Sequence, residues 1–234
     1  KDIETITVPP PQMVANMKVG TMDCFCVCEP WNLQLVHQNI GYTAITTGEL
    51  WNKHPEKSFA LRAAWVDKNP NSAKAMLMAV MEAQQWCDKP ENRQELAAIM
   101  AKRQWINAPI EDIIDRTNGK FDYGLPGKVV ENSPHIMKYW KDHASYPFQS
   151  HELWFLTEDI RWGKFEPTLD TQALIKKVNR EDMWRDAAKT LGVATAEIPP
   201  STSRGVETFF DGKVFDPANP TAYLKSLSIK RAEV

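Results

Sequence analysis

The chain has 234 residues, and its 28 Lys and Arg against 30 Asp and Glu give a formal charge of −2. A near-neutral chain without a basic block lacks the electrostatic footprint of a nucleic-acid-binding protein. Its apolar runs are far shorter than the roughly 20 residues that span a bilayer. Nine Trp, nine Phe and five Tyr provide enough surface for burial to exclude a disordered chain.

Short β-prone runs alternate with helical patterns over the first fifty residues. The pattern predicts strands at Thr5–Val8, Asp23–Val27 and Tyr42–Thr46, a helix over Gln12–Val19, and a second helix that opens at Pro30-Trp31 and ends before Gly41. Strands and helices that alternate at this spacing favour a parallel sheet with helices packed on it.

Helical periodicity dominates from Phe59 onward, where apolar residues recur at intervals of three and four. The predicted helices are Ala73–Cys87, a helix that starts at Pro90-Glu91, Ile110–Arg116, Ser133–Asp142, Ser150–Trp162, Thr171–Val178 and Arg180–Leu191. A polar, Gly-rich loop is predicted over Asn118–Asn132. The sequence therefore changes character near residue 50.

Three of the four cysteines stand two residues apart, at Cys24, Cys26 and Cys28. On a strand they would share one face, and three thiolates are able to bind a soft metal. Zinc sites more often combine C-x₂₋₄-C pairs with distant ligands, and free cysteine is among the most buried residue types. We therefore predict a buried strand here, without a metal site and without a disulfide framework.

The remaining candidates for chemistry do not assemble a catalytic set. The histidines at positions 37, 54, 135, 143 and 151 show no metalloprotease spacing and complete no Ser-His-Asp order. Arg204-Gly205 and Asp211-Gly212 are interpreted as turn elements, and no Walker or dinucleotide fingerprint occurs. We predict a protein that is not an enzyme.

Two junctions place the end of a predicted strand against a helix N-terminus, at Pro9–Gln12 and at Cys28–Trp31. That edge of an α/β sheet is where ligands bind, and helix N-termini offer N–H groups to anions. A small anion is the natural ligand, and ordinary turns are the alternative. Lys57 is able to add a positive charge, although a lone lysine is usually solvated.

The chain carries a series of long motifs in a fixed order: Val8–Asn16, Gly20–Asp23, Glu29–Asn32, Thr47–Trp51, Ala144–Pro147, Trp154–Glu158, Val178–Asp182 and Ser203–Gly212. Through these motifs it resembles the nitrate- and bicarbonate-binding proteins of cyanobacterial ABC transporters. The resemblance covers essentially the whole chain but only the later half or more of such a protein. The start at Lys1-Asp2-Ile3, without Met or signal segment, leads us to expect a longer gene product.

The resemblance implies an α/β fold of the type II periplasmic-binding-protein class, with two lobes, a helical C-terminal part and the N-terminal part of the fold missing. Residues 1–50 would complete the second lobe, and residues 51–234 would return to the first lobe and end in a C-terminal extension. The implied ligand is nitrate or a related small anion in the cleft between the lobes. The implied partners are ABC permease subunits, and the implied location is the periplasmic face of the inner membrane, as a lipoprotein.

Two anion contacts are implied by the resemblance. Lys57, in His54-Pro55-Glu56-Lys57, stands where nitrate-binding relatives have an anion-contacting lysine, and an ammonium suits the acceptor oxygens of nitrate. Bicarbonate-binding relatives favour a carboxylate in this region and use calcium with the ligand. Lys57 thus favours nitrate without a cofactor, while Glu56 weakens that preference. Cys28 replaces a family glycine, so a backbone contact is able to persist while the side chain narrows the pocket.

Three alternatives stay open. The first alternative is a bicarbonate-binding protein with calcium as cofactor. The second alternative is the ion-sensing region of a transporter ATPase on the cytoplasmic side of the membrane, where the reducing compartment suits the three cysteines. From the enzyme class, pyrimidine synthases of thiamine biosynthesis share the general fold, but they need histidine and iron chemistry for which the sequence has no matching cluster.

Overall fold

A computed structural model of the protein describes residues 3–231, so residues 1 and 234, the outer bounds of the sequence-based division, lie outside it. The first of two compact units takes the chain up to Thr46 and the segment Cys87–Met137. The second takes Thr47–Trp86 and the chain from Lys138 onward. The first unit thus ends close to the predicted change at residue 50 but resumes at Cys87. The assignment of residues 1–50 and 51–234 to lobes stays a prediction.

Helices make up most of the regular structure. Among the described residues they are α1 (Pro10–Lys18), α2 (Trp31–His37), α3 (Thr47–Leu50), α4 (Ala63–Lys68), α5 (Pro70–Cys87), α6 (Arg93–Ala101), α7 (Glu111–Thr117), α8 (Gln149–Arg161), α9 (Thr171–Val178), α10 (Glu181–Thr190) and α11 (Pro220–Ser226). Short 3₁₀ turns lie at Pro90–Asn92, Lys141–His143 and Thr195–Glu197. The strands are β1 (Phe121–Asp122), β2 (Val129–Val130), β3 (Glu207–Thr208) and β4 (Val214–Phe215).

The predicted helices are confirmed wherever a local stop or start signal accompanies the periodicity. α9 coincides with its predicted range, and its N-cap Asp170 accepts a hydrogen bond from the Ala173 N–H at 2.9 Å. α1 begins with Pro10 and Pro11 in its first turn, where proline lacks only an N–H that has no intrahelical partner. Helices α2, α5, α6, α7, α8 and α10 are confirmed in the same way, with bounds that differ by a few residues.

The helix predicted over Ser133–Asp142 is wrong. Ser133 makes local bonds instead, because its hydroxyl accepts the His135 N–H at 3.2 Å and its own N–H donates to the Gly119 carbonyl at 2.8 Å. At the far end Asp142 takes a left-handed backbone conformation with φ of 57°. Side-chain competition and a left-handed residue therefore replace the helix with a loop.

The three strands predicted at Thr5–Val8, Asp23–Val27 and Tyr42–Thr46 are also wrong as elements of the described structure. A strand exists only when a neighbour accepts and donates its backbone hydrogen bonds, and residues 3–231 provide no parallel neighbour for these segments. The sheets present are two antiparallel hairpins. One pairs β1 with β2 inside the predicted loop Asn118–Asn132, and the other pairs β3 with β4.

Each unit has its own apolar core. In the first unit α6 packs against α7 around Ala97 and Ile113. In the second unit one cluster surrounds Met81 of α5 and Trp184 of α10. A further cluster joins α8, α9 and α11 around Phe215, the largest fully buried side chain of the described residues. No helix among residues 3–231 combines the length and apolar character that crossing a bilayer requires.

Removing one methyl group from the core around Phe215 is expected to destabilise the protein modestly. Ile175 of α9 is buried there against Leu153 and Tyr223, so Ile175→Val should lower the free energy of unfolding by about 1 kcal/mol. Urea unfolding measures this difference. Val178→Ala on the same helix is the control, because Val178 is exposed and its change should stay within about 0.5 kcal/mol. Equal losses in both variants would contradict this packing.

Candidate anion-binding site

Lys57 lies in a segment without helix or strand that follows α3 and the turn Trp51–Lys53 in the second unit. Its side chain is 70% exposed, and its Nζ lies 2.9 Å from the Glu56 Oε1. An ion pair between exposed neighbours contributes little to stability because water competes for both charges. The Lys57 ammonium is therefore accessible to an anion from solution.

The turn in front of Lys57 is held by a buried aromatic residue. The Trp51 side chain packs edge-on against Phe209 and tilted against Trp154, with ring centroids 5.3 and 4.8 Å apart. Its Nε1 donates a hydrogen bond of 2.9 Å to the Glu207 Oε2. The indole is thus packed against neighbouring aromatic rings, and its single N–H donor has an acceptor.

Arg204 binds the backbone of the same turn. Its two terminal nitrogens donate to the carbonyls of Lys53 at 2.7 Å and Asn52 at 3.2 Å, and its Nε donates to the Glu207 Oε1 at 2.5 Å. The guanidinium also lies 5.3 Å from the centroid of the Trp51 ring. Arg204 and Gly205 lie in an irregular segment without an assigned turn, with φ of 99° at Gly205, so the interpretation as a turn element is not confirmed, and it missed the contacts of the arginine side chain.

Two histidines adjoin this turn. The His54 Nδ1 donates to the Pro55 carbonyl at 2.5 Å, and its ring meets Trp51 edge-on at 5.2 Å. Burial lowers the pKa of His54 and, with the charge of Arg204, lowers the pKa of His151 to about 3. Both imidazoles are therefore neutral near pH 7. They contribute packing to the Lys57 segment and add no positive charge to it.

The buried neutral His151 makes the protein sensitive to acid. The unfolded chain binds a proton at His151 below about pH 6.5, whereas the folded chain does so only near pH 3, so stability is lost as the pH falls through this window. The loss from this group between pH 6.5 and about 5 is about 1.5 kcal/mol, and His151→Gln should abolish it. Urea unfolding over this pH range tests the slope.

The control for this measurement is Val178→Ala, which changes an exposed residue of the same unit that does not titrate. It should keep the pH slope of the wild-type protein. An unchanged slope in His151→Gln would contradict the assignment of the acid sensitivity to His151.

Cys28 lies in the first unit, half-exposed, three residues before Trp31, the first residue of α2. The next residue, Glu29, accepts the Leu33 N–H of the first helical turn at 3.2 Å and pairs with the Arg116 guanidinium. Burial raises the pKa of Glu29, and the charge of Arg116 opposes that shift. The Leu33 N–H is one of the helix N-terminal donors that the sequence predicted for an anion. It is therefore already bound to the Glu29 carboxylate.

The junction Pro9–Gln12 offers few donors for another reason. Pro10 and Pro11 hold the first two positions of α1 and carry no N–H, and the Gln12 N–H donates to the Pro9 carbonyl at 2.9 Å. Of the two alternatives for this junction, the geometry favours the ordinary turn.

The prediction that the cysteine segment is a buried strand is wrong. Cys24 and Cys26 are exposed, because no neighbouring strand within residues 3–231 covers the segment. All four cysteines are free. No three His, Cys, Asp or Glu side chains of the described chain converge in a way that would hold a metal ion.

The structure places the two predicted contact residues in different units, Lys57 in the second and Cys28 in the first. Their roles as anion ligands stay predictions. The contacts that sequence reasoning missed are those of Arg204 and Glu207 to the turn at Trp51. About 150 positions separate these residues along the chain, and their only signal was that Thr47–Trp51 and Ser203–Gly212 both belong to the motifs that carry the resemblance.

Comparisons with known proteins confirm the resemblance. The NMT1-like family model matches residues 1–101. The chain is 59% identical to the nitrate/nitrite binding protein NrtA of Synechocystis sp. over 98% of its own length and 52% of that protein. It is 46% identical to the bicarbonate-binding protein CmpA of Synechococcus elongatus over 99% of its length and 53% of that protein. The chain thus spans about half the length of these curated relatives.

A solved structure confirms the fold class. The crystal structure of the periplasmic nitrate-binding protein NrtA from Synechocystis PCC 6803 superposes with a TM-score of 0.95 at 57% sequence identity. The match covers 99% of this chain and 60% of that one. The helices and small hairpins described above are therefore part of a periplasmic-binding-protein fold.

Proposed function

We propose that the chain, which is similar to nitrate- and bicarbonate-binding proteins of cyanobacteria over about half of their length, serves as the solute-binding component of an ABC-type nitrate importer. In this role it binds nitrate or nitrite and delivers the anion to the permease subunits without chemical change. We place it in the periplasm, attached to the inner membrane as a lipoprotein. The higher identity to the nitrate/nitrite binding relative, 59% against 46%, supports this choice over bicarbonate.

The observation that carries the proposal is the exposed ammonium of Lys57, which follows the turn that Arg204 binds at Asn52 and Lys53. Nitrate presents only acceptor oxygens and one negative charge, which an ammonium with three N–H donors matches directly. Bicarbonate carries an O–H donor in addition to its acceptor oxygens. The resemblance implies that bicarbonate-binding proteins have a carboxylate in this region, and calcium is needed there to offset the repulsion between that carboxylate and the bicarbonate anion. A lysine at this position makes the metal unnecessary for nitrate.

Calorimetric titration of the protein with nitrate, nitrite and bicarbonate, with and without calcium, tests the proposal. We expect saturable binding of nitrate or nitrite that calcium does not change. Binding of bicarbonate alone, and only with calcium, would assign the protein to the bicarbonate alternative, which Glu56 beside Lys57 favours. Absence of binding by all three anions would overturn the proposal.

The other two alternatives stay predictions. A nucleotide-binding loop in the same polypeptide would identify the ion-sensing region of a transporter ATPase. Turnover of a pyrimidine precursor would identify the synthase.

A further inference from the structure

The turn before Lys57 has an unfavourable backbone conformation. Lys53, its last residue, lies in the left-handed region with φ of 57°, which costs energy for a residue with a side chain. Such a conformation persists only when the surrounding structure determines it. The carbonyl of this same residue accepts the shortest of the Arg204 bonds to the backbone, at 2.7 Å.

The segment that carries Arg204 contacts the turn on both sides. Arg204 binds the carbonyls of Asn52 and Lys53, and the Phe210 N–H donates to the Leu50 carbonyl at 3.0 Å. Glu207 lies between these contacts and joins the Arg204 guanidinium to the Trp51 indole. The backbone from Leu50 to Lys53 is therefore fixed immediately before the chain enters the Lys57 segment.

We propose that Arg204 is the positioning residue of the anion site: by holding the Asn52 and Lys53 carbonyls it sets the direction in which the chain presents the Lys57 ammonium. This inference rests on the proposed function. A planar guanidinium suits the task because its fork donates to two carbonyls and one carboxylate at fixed angles, which an ammonium does not reproduce. Arg204 itself does not contact the anion in this proposal.

The chain offers a closely matched control in Arg161. Arg161 and Glu158 form an ion pair with the same spacing of three residues, with side-chain exposures of 19% and 15% against 18% and 14% for Arg204 and Glu207. Arg161 also donates to a backbone carbonyl, that of Ile229 at 2.8 Å, and lies 4.6 Å from the Trp162 ring centroid. Its removal therefore costs similar interactions at a different place.

The test compares nitrate binding by calorimetry and backbone hydrogen exchange without nitrate in Arg204→Met and Arg161→Met, since methionine keeps most of the apolar stem. We expect Arg204→Met to weaken nitrate binding by about tenfold or more and to speed amide exchange over residues 52–57. Arg161→Met should leave both within about twofold of the wild type while lowering the midpoint of urea unfolding to a similar extent.

Arg204→Lys is a second variant that keeps the positive charge. It allows the test to be made even if Arg204→Met does not fold. It should bind nitrate more weakly than the wild type because it lacks the fork. Wild-type affinity in Arg204→Lys, or in Arg204→Met, would overturn the proposal while loss of binding in Lys57→Ala still supported the function. If the wild-type protein does not bind nitrate, the proposed function falls and the anion role of Arg204 with it. Exchange over residues 52–57 then decides separately whether Arg204 holds the turn.

Discussion

Replacing Lys57 by alanine is expected to weaken nitrate binding by about 10- to 100-fold, the effect of losing one charge-assisted hydrogen bond. The side chain is 70% exposed, so its removal should change the stability of the fold little. Calorimetric titration should therefore show a large loss of affinity while the urea midpoint changes little. Lys57→Arg keeps the charge and should retain most of the binding.

The matched control is Lys164→Ala, which removes an exposed lysine elsewhere in the second unit. The Lys164 Nζ lies 2.7 Å from the Asp159 Oδ1 and its side chain is 68% exposed against 70% for Lys57, so this variant loses a similar charge and ion pair far from Lys57 along the chain and should leave nitrate affinity unchanged. If charge alone attracted nitrate, both variants would lose affinity equally. An unchanged affinity in Lys57→Ala would remove Lys57 from the site.

Replacing Arg116 by alanine is expected to lower the free energy of unfolding by about 3 kcal/mol, the largest stability effect among these predictions. The Arg116 side chain is only 4% exposed, and it donates to the Thr43 hydroxyl at 2.8 Å and to the Asp122 carbonyl at 2.9 Å as well as pairing with Glu29. Its removal leaves a half-buried carboxylate and two acceptors without their donor. Urea unfolding measures the loss.

Two further variants separate the buried pair from ordinary surface charge. Glu29→Gln in the Arg116→Ala background should restore part of the lost stability, because the unpaired carboxylate is then neutral. Lys120→Ala removes an exposed partner of Asp115 in the same unit and should leave the free energy of unfolding nearly unchanged. A loss in Arg116→Ala no larger than that in Lys120→Ala would contradict the role of the network.

Local signals predicted the helices well and the strands poorly, for a physical reason. A helix such as α9 satisfies its hydrogen bonds within one segment, so its cap at Asp170 and its apolar spacing contain most of the information. A strand depends on a paired neighbour, and the β-prone runs at Asp23–Val27 and Tyr42–Thr46 have no strand partner within the described residues. The hairpin β3–β4 was missed because each of its strands has only two residues.

The residues of the candidate site likewise differ in how far the sequence could identify them. Lys57 was identified only through a resemblance of the His54–Lys57 segment to known proteins, since nothing in its local pattern distinguishes it from a solvated lysine. Cys28 was identified in the same way, and the structure shows that the neighbouring Glu29 carboxylate already accepts a donor of α2. The interpretation of Arg204-Gly205 as a turn element missed the contacts that the Arg204 side chain makes with Asn52 and Lys53.

By itself the sequence determined that helices dominate from Phe59 onward, and its ordered motifs determined the family that it resembles. These properties depend on residues that are neighbours along the chain. Only the tertiary structure decided that Arg204 and Glu207 hold the turn at Trp51, and that Arg116 joins Glu29 to Thr43. Those contacts connect distant positions, and their energy depends on burial and on distances between atoms, which a linear sequence does not contain.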